Sequence, residues 1–391
     1  MIDPRLQVLY LLAVGVVAFA TAHPAVLLGL LGLQVALWLY LGLPAADLLT
    51  IFRKLVVFFV FIVVSFAFFA PEPGDRLVAV PVLVGSVDLN LSGILRGLLL
   101  SSRVVTVIYA SQILQRTGDR GSLVRGLRGW FVPAPIAYSL DLVLALLGAD
   151  ERRGGGGGRR RRAREAEADG SAPEGADKER TLDVLRRVLR GDVGFLLDLM
   201  ARHIARAREQ AATYGLKPEA LSDLAVITGL AVLSMTLRFL KVMPGLPVAP
   251  GHKGIILLPL YIVAAELTAS RWGATQLGVV IGVTSFLMGE GKFGLFEIPR
   301  HVTPGLFVDL VMPLVRLLRP NAGAFAYALV GVGAAVTRLS TLLLVAYFVE
   351  APSIFYAFLI PMVVSNTVFG FLSGFVTYHL MKSVQKLRAV L

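Results

Sequence analysis

The chain has 391 residues, of which 56% are hydrophobic, and its mean hydropathy is +0.74. Composition of this kind predicts an integral membrane protein and argues against a soluble globular one. The absence of cysteine excludes disulfides, thiolate metal ligands and cysteine nucleophiles. The formal charge of +12 fits basic residues retained on the cytoplasmic side of a membrane better than it fits nucleic-acid binding.

The first part of the chain consists of apolar stretches separated by short polar ones. These stretches predict membrane-spanning helices at Leu6–Ala22, Ala25–Leu43, Leu55–Ala70 and Gly93–Leu114. The next apolar stretch, Ala134–Gly148, is too short to span comfortably, so we expect it to lie in the membrane interface.

A charged region interrupts the apolar pattern after Asp150. Residues 150–180 are low-complexity sequence rich in glycine, arginine and acidic residues, and we expect a disordered cytoplasmic insertion because such a sequence cannot bury a core. The stretch Met200–Lys217 then predicts a basic amphipathic helix at the membrane boundary.

Further apolar stretches follow at Leu221–Leu240, Ile255–Ser270, Thr275–Met288, Gly305–Leu318, Ala324–Phe348 and Phe355–Met381. The predicted fold is therefore all-α, with about ten membrane-spanning helices and cytoplasmic amphipathic helices. Lysine and arginine concentrate in alternate loops of the first half and at the carboxyl terminus, which predicts that both termini are cytoplasmic.

Two arginines stand inside a predicted span. Arg96 and Arg103 are seven residues apart and share one helical face, and Arg103 lies nearer the middle of the membrane. A charge at that depth is unfavourable unless it is paired. Either an interhelical hydrogen bond or a role in docking a neighbouring element would satisfy it.

No motif of an enzyme is present. The stretch Gly289–Gly294 departs from a phosphate-binding loop, since Phe286 and Phe293 occupy positions that require glycine and a hydroxyl residue. We predict no catalytic residue, no metal site and no directly bound cofactor.

Three stretches carry a family resemblance: "DPRLQVLYLLAV", "LSGILRGLLLSSRVV" and "LQRTGDRGSLVRGLRGWFVPAPIAYSLDLVLALL". They resemble the T component (the CbiQ/EcfT family) of energy-coupling factor transporters. The resemblance implies that residues 1–217 form a membrane scaffold whose cytoplasmic coupling helices bind two ABC-type ATPase subunits. ATP and Mg²⁺ would be used by those partners and not by this chain.

The basic helix would be such a coupling helix, although no glycine follows its Ala-Arg pairs as it does in the family motif. The predicted ATPase-coupling residues are Arg202, Arg206, Arg208 and Gly215. Arg202 and Arg206 lie one turn apart on one face, where planar guanidinium groups suit carboxylates and backbone acceptors of a partner. The alternative is a helix that lies on anionic lipid.

Residues 218–391 resemble the S component, the substrate-capturing subunit of the same transporters, through "LRFLKVMPGLPVAPGHKGIILLPLYIVAAE" and "TPGLFVDLV". The resemblance implies a six-helix module that docks through small residues on its first span. The predicted intramembrane docking residues are Ala225 and Gly229, together with Arg96 and Arg103.

Charged and polar groups of the second half form the predicted substrate site. Those expected in outer loops are His252, Lys253, Glu290, Lys292, Arg300 and His301, and those within spans are Asp309, Arg338 and Asn366. A purely structural pair of Asp309 and Arg338 is equally compatible with the sequence.

The predicted function is the membrane subunit of an importer for a vitamin or vitamin precursor, located in a bacterial or archaeal cell membrane. Its predicted partners are lipid, the small-molecule substrate and the ATPases, and we expect no nucleic acid among them. Three alternatives stay open: a cobalt or nickel permease of the same family, an ion-coupled secondary transporter without ATPases, and a scaffold that assembles partners without transport.

Overall fold

The computed structural model describes residues 4–21, 23–69, 74–82, 85–117, 133–154, 193–239, 254–288, 296–318, 323–348 and 359–388. In these residues the first half forms α1 (Pro4–Ala20), α2 (Pro24–Tyr40), α3 (Ala45–Phe69), a hairpin of β1 (Leu77–Val82) and β2 (Gly85–Asn90), α4 (Leu91–Thr117), α5 (Ala134–Gly154) and α6 (Val193–Ala211). A 3₁₀ turn, Ala212–Tyr214, leads into α7 (Pro218–Phe239), α8 (Gly254–Leu267), α9 (Gly273–Leu287), α10 (Glu297–Leu318), α11 (Ala324–Phe348) and α12 (Leu359–Arg388).

The helical character predicted from hydropathy is confirmed. Among the residues that the structure describes, four helical segments are long and apolar enough to cross a bilayer: Leu91–Leu114, Pro218–Leu237, Ala324–Val345 and Leu359–Lys382. Shorter apolar helices occur in α1, α2, α5, α8 and α9. The chain is therefore helical and suited to a membrane, while the count of about ten spans stays a prediction.

Two helices begin at least two turns before the spans that were predicted for them. α3 begins at Ala45, ahead of its apolar stretch, because Asp47 in its first turn favours the positive end of the helix dipole. α10 begins at Glu297 and not at Gly305. Glu297 is itself the acidic residue of the first turn, and Pro299 lies in that turn, where a helix tolerates proline. Arg300 and His301 consequently lie on a helix, so their predicted placement in a loop was wrong, while the side of the membrane on which they lie stays a prediction.

The predicted charged insertion falls mostly on residues that the structure does not describe. Residues 150–154 complete α5, and the remainder of 150–180 lies outside the described ranges.

The chain divides into two compact units that do not follow the predicted module boundary at 217–218. The first comprises Met1–Trp130 with Ser285–Glu297 and Thr341–Pro361, and the second comprises Phe131–Thr284, Ile298–Ser340 and Met362–Leu391. α5 and α6, assigned to the first module by sequence, belong to the second unit because both pack against α7.

The core of the first unit lies between α3 and α4. Phe59, Ile62 and Phe66 of α3 are buried against Val105 and Ile108 of α4. The first unit also includes the carboxyl end of α9, from Ser285. The Ser111 hydroxyl donates there to the Phe286 and Leu287 carbonyls at 3.1 and 2.8 Å. These are carbonyls that a helix end leaves without an intrahelical partner.

The second unit is organised around α7. Its residues from Leu224 to Met235 are buried on every side, as expected of a helix that is apolar all round. α7 packs against α5, α6 and α8.

Glycine permits the closest helix contacts in both units. A β-carbon at these glycines would meet atoms of the paired helix closer than real β-carbons approach: Gly93 and Gly97 between α4 and α3, Gly229 between α7 and α6, Gly278 and Gly305 between α9 and α10, and Gly331, Gly370 and Gly374 between α11 and α12. Small residues of this kind let helices pack backbone to backbone in lipid.

We expect Gly374→Ala to destabilise the protein. A β-carbon at Gly374 would lie 2.5 Å from Cα of Ala328, so α12 must move away from α11, at about 1–3 kcal/mol. The matched control is Gly29→Ala, where nothing lies within 4 Å of the added methyl. Thermal unfolding of the solubilised protein should show a lower midpoint for the first variant only; equal midpoints would contradict this packing.

Candidate functional site

α6 has two chemically distinct faces. Met200, Ile204, Ala207 and Ala211 recur every three or four residues and are fully or almost fully buried. Arg202 and Arg206 lie on the opposite face and are exposed. The helix is therefore held by an apolar stripe and presents guanidinium groups to its surroundings.

The apolar stripe of α6 packs tightly against the middle of α7. A β-carbon at Gly229 would lie 2.6 Å from Cα and 2.7 Å from N of Ile204, so the two backbones touch there. Ala225, one turn earlier on α7, is also fully buried. The structure therefore places Gly229, a predicted docking residue, against the predicted coupling helix.

A second contact fixes the carboxyl end of α6. The Tyr214 hydroxyl donates to Oδ2 of Asp141 on α5 at 2.8 Å, and the rings of Tyr138 and Tyr214 are 4.8 Å apart. Burial and the carboxylate partner raise the pKa of Tyr214, which keeps the hydroxyl protonated as a donor. Gly215 follows with φ +63°, a left-handed conformation that ends the 3₁₀ turn and that glycine adopts without strain.

The three predicted arginine positions on α6 differ in exposure. Arg208 is half-buried and has interactions of its own within the protein, whereas Arg202 and Arg206 are exposed. Arg202 also donates through Nε to the Asp198 carbonyl at 3.3 Å, which holds its side chain along the helix. Arg202 and Arg206 are thus the guanidinium groups best placed to contact a partner.

The two arginines of the predicted span in α4 have partners in the first unit. Arg96 forms an ion pair with Asp75 at 2.5 Å. Arg103 donates to the Thr21 carbonyl at 2.9 Å, at the end of α1, where a cation is favourable. The interhelical hydrogen bond left open by the sequence is therefore present, and the docking role stays a prediction.

A small pocket lies at the turn between α8 and α9, in the second unit. Its volume is about 230 Å³, and its lining includes Ser270, Arg271, Asp309 and Arg316. Arg316 is bound by Glu266 at 2.8 Å. The lining groups Asp309 and Arg316 are thus already bound by protein partners, and this pocket is a polar notch rather than a built ligand site.

Asp309 holds the amino end of α9. This residue is 2% exposed, and its carboxylate accepts hydrogen bonds from the Ala274 and Thr275 backbone N–H groups at 3.1 and 2.7 Å and from the Thr275 hydroxyl at 2.6 Å. Neutral donors therefore satisfy the acid in place of the pair with Arg338 that the sequence left open.

The remaining predicted substrate residues are dispersed. His301 is buried, with Nδ1 2.8 Å from the Tyr261 hydroxyl, and the Asn366 amide donates to the Met362 carbonyl of its own helix at 2.8 Å. Arg300 and Arg338 are half-buried, on α10 and α11. His252, Lys253, Glu290 and Lys292 lie outside the described residues.

Several positioning residues were not predicted from the sequence. Asp223 accepts the Ala269 and Ser270 N–H groups at 2.7 and 2.9 Å and so fixes the α8–α9 turn. Asp141 and Tyr214 form the contact at the end of α6. For Asp223 and Asp141 the sequence signal is an acidic residue within or beside an apolar stretch. Such a residue predicts a partner without identifying it.

No three histidine, aspartate or glutamate side chains come together as metal ligands would within the part of the chain that the structure describes. Comparison with protein-family models, with curated proteins and with solved structures gives no match to this chain. By its fold the chain belongs to the broad class of helical proteins suited to a membrane, because four helices of its described part are long and apolar enough to cross a bilayer. Its features are an arginine face on α6 and a set of buried polar groups in the helices that follow.

We expect Asp309→Ala to lower stability by about 2–3 kcal/mol, because the buried Ala274 N–H and the part-buried Thr275 N–H at the start of α9 would lose their acceptor. Asp309→Asn, which retains one acceptor oxygen, should lose roughly half as much. Unfolding midpoints of the three proteins provide the measurement. Unchanged stability in the alanine variant would contradict the capping role and return Asp309 to the substrate-binding candidates.

Proposed function

We propose that this chain is the membrane subunit of an energy-coupling factor importer. In this proposal separate ATPase subunits hydrolyse ATP, and α6 couples their movement to uptake of a vitamin or vitamin precursor captured by residues 218–391. The chain itself performs no catalysis, and both of its termini lie in the cytoplasm of a bacterial or archaeal cell.

The observation that carries the proposal is the two-sided character of α6. A helix that only lies on lipid would direct its apolar stripe into the bilayer. Here Met200, Ile204 and Ala207 are instead buried against protein, chiefly α7, and the arginine face is left exposed. A rigidly mounted pair of guanidinium groups suits the carboxylates and backbone oxygens of a protein partner.

Transmission through the protein follows from the same packing. Gly229 brings the α6 backbone against α7, and Tyr214 ties the end of α6 to α5. A displacement imposed on the arginine face would therefore act on two other helices of the second unit and not be absorbed by loose side chains. Close backbone contact of this type moves as a rigid element.

Charge reversal on the arginine face tests the coupling role. Arg202→Glu and Arg206→Glu, singly and together, should reduce co-purification of the ATPase subunits at least tenfold, because an attractive contact becomes repulsive. Arg76→Glu, an equal charge change at an exposed arginine beside the β-hairpin, is the matched control and should leave the yield unchanged.

Two outcomes would count against the proposal. ATPase recovery equal to that of the unmodified protein in the double variant would remove α6 as the binding surface. Loss of membrane insertion instead of loss of ATPases would indicate that the arginines bind lipid.

Substrate capture is the part of the proposal supported by charge in the second half. Mass spectrometry of small molecules that co-purify with the complete transporter would identify the ligand. For an anionic ligand held by Lys292 or Arg300, calorimetry should then show roughly ten- to a hundred-fold weaker binding on replacement of either residue by alanine, as for loss of one charge-assisted hydrogen bond. Unchanged affinity in both variants would place the site elsewhere.

A further inference from the structure

The hairpin between α3 and α4 has one apolar face and one polar face. In its antiparallel register Val78 lies opposite Leu89 and Val80 opposite Val87, so these four residues share one face. The other face carries the pairs Leu77 with Asn90, Ala79 with Asp88, and Pro81 with Ser86. Such alternation is typical of a sheet with only one side in contact with water.

The apolar face is not covered by the described part of the protein. Val78 and Val80 are 44% and 39% exposed, although they are the centre of that face. On the polar face Ala79 and Asp88 are exposed as well. A two-stranded hairpin exposed on both sides is only marginally stable in water, so the valines require an apolar environment.

The base of the hairpin is rigidly attached to the helices. Oδ2 of Asp75 accepts from Arg96 and from the Asn90 amide, both at 2.5 Å, and the Leu91 N–H donates to the Arg76 carbonyl at 2.9 Å. The hairpin therefore emerges from α4 at a fixed place rather than as a freely mobile loop.

The length of α4 indicates where the base of the hairpin lies relative to the bilayer. Near its other end, Arg116 pairs with Asp47 at 2.5 Å and lies over the ring of Trp38 at 5.1 Å. Arg96 and Arg116 are about 20 residues apart, hence about 30 Å along the helix, which is the thickness of a bilayer hydrocarbon core. The two ion pairs thus lie where the two headgroup regions would begin.

We propose that the hairpin lies in the headgroup region of the bilayer, with the face that carries Val78 and Val80 directed at the acyl chains and the face that carries Asp88 directed at water. Phe68, near the end of α3, and Leu91 and Leu95, in the first turns of α4, are exposed apolar side chains as well. The interface is also the deepest level at which the unpaired strand edges can still bond to water, since backbone groups left unsatisfied in hydrocarbon are strongly unfavourable. This inference depends on membrane embedding alone and not on the proposed transport function.

Site-directed spin labelling tests the proposal directly, because the chain contains no cysteine and a single introduced one is labelled without background. Val80→Cys and Val78→Cys probe the apolar face, and Ala79→Cys and Asp88→Cys are matched controls on the opposite face. The protein would be reconstituted in lipid nanodiscs, with unfolding midpoints compared to the cysteine-free parent. Collision rates with oxygen, which concentrates in lipid, and with a polar nickel chelate would then be measured.

The oxygen-to-chelate ratio should be at least threefold higher at positions 78 and 80 than at 79 and 88. Equal ratios on the two faces would show that the hairpin stands in water and would overturn the proposal. Protection from both reagents at 78 and 80 would also overturn it, since a second copy of the chain or another protein would then cover the face.

Discussion

Close backbone contact at glycine is the constraint on which the rest of the structure depends. Helices surrounded by lipid gain little hydrophobic energy by meeting one another, so dispersion contacts and hydrogen bonds must hold them together. Gly93, Gly229 and Gly374 each bring a neighbouring backbone within contact. Side chains that would otherwise be lipid-exposed are then packed between paired helices, and α7 becomes buried along most of its length.

Within this framework the charged groups divide into two sets. Asp75, Asp223, Asp309 and Arg103 are committed to N–H groups, carbonyls or arginine within the protein, and they fix helix ends and turns. Arg202 and Arg206 remain exposed on a helix that is otherwise well anchored. An exposed charged residue that does not stabilise the fold is available to bind a partner.

The sequence predicted the existence and approximate order of the helices because apolar length is a direct physical requirement of a bilayer. It failed at boundaries such as those of α3 and α10, since hydropathy marks the part of a helix that avoids water, whereas hydrogen bonding continues through polar turns. The hairpin was not among the predicted elements, although Val78, Val80 and Val87 are β-branched and Ser86, Asp88 and Asn90 alternate with apolar residues.

Partners were harder to predict than elements. A buried Asp309 was expected from its place in an apolar stretch, but its partners are the backbone N–H groups of Ala274 and Thr275, 35 and 34 positions earlier. Backbone donors occur at almost every residue and leave no mark in the amino-acid pattern. The amphipathic nature of α6 could be read from spacing, whereas its contact with Gly229 required knowledge of how the chain turns back.

The short connection between α6 and α7 has a mechanical consequence. Only Gly215, Leu216 and Lys217 separate the 3₁₀ turn from α7, a tether that can extend to no more than about 10 Å. Such a tether is short, and its first residue, Gly215, has the left-handed φ of +63°. A displacement of the end of α6 therefore passes to the first turn of α7 through a connection of only three residues.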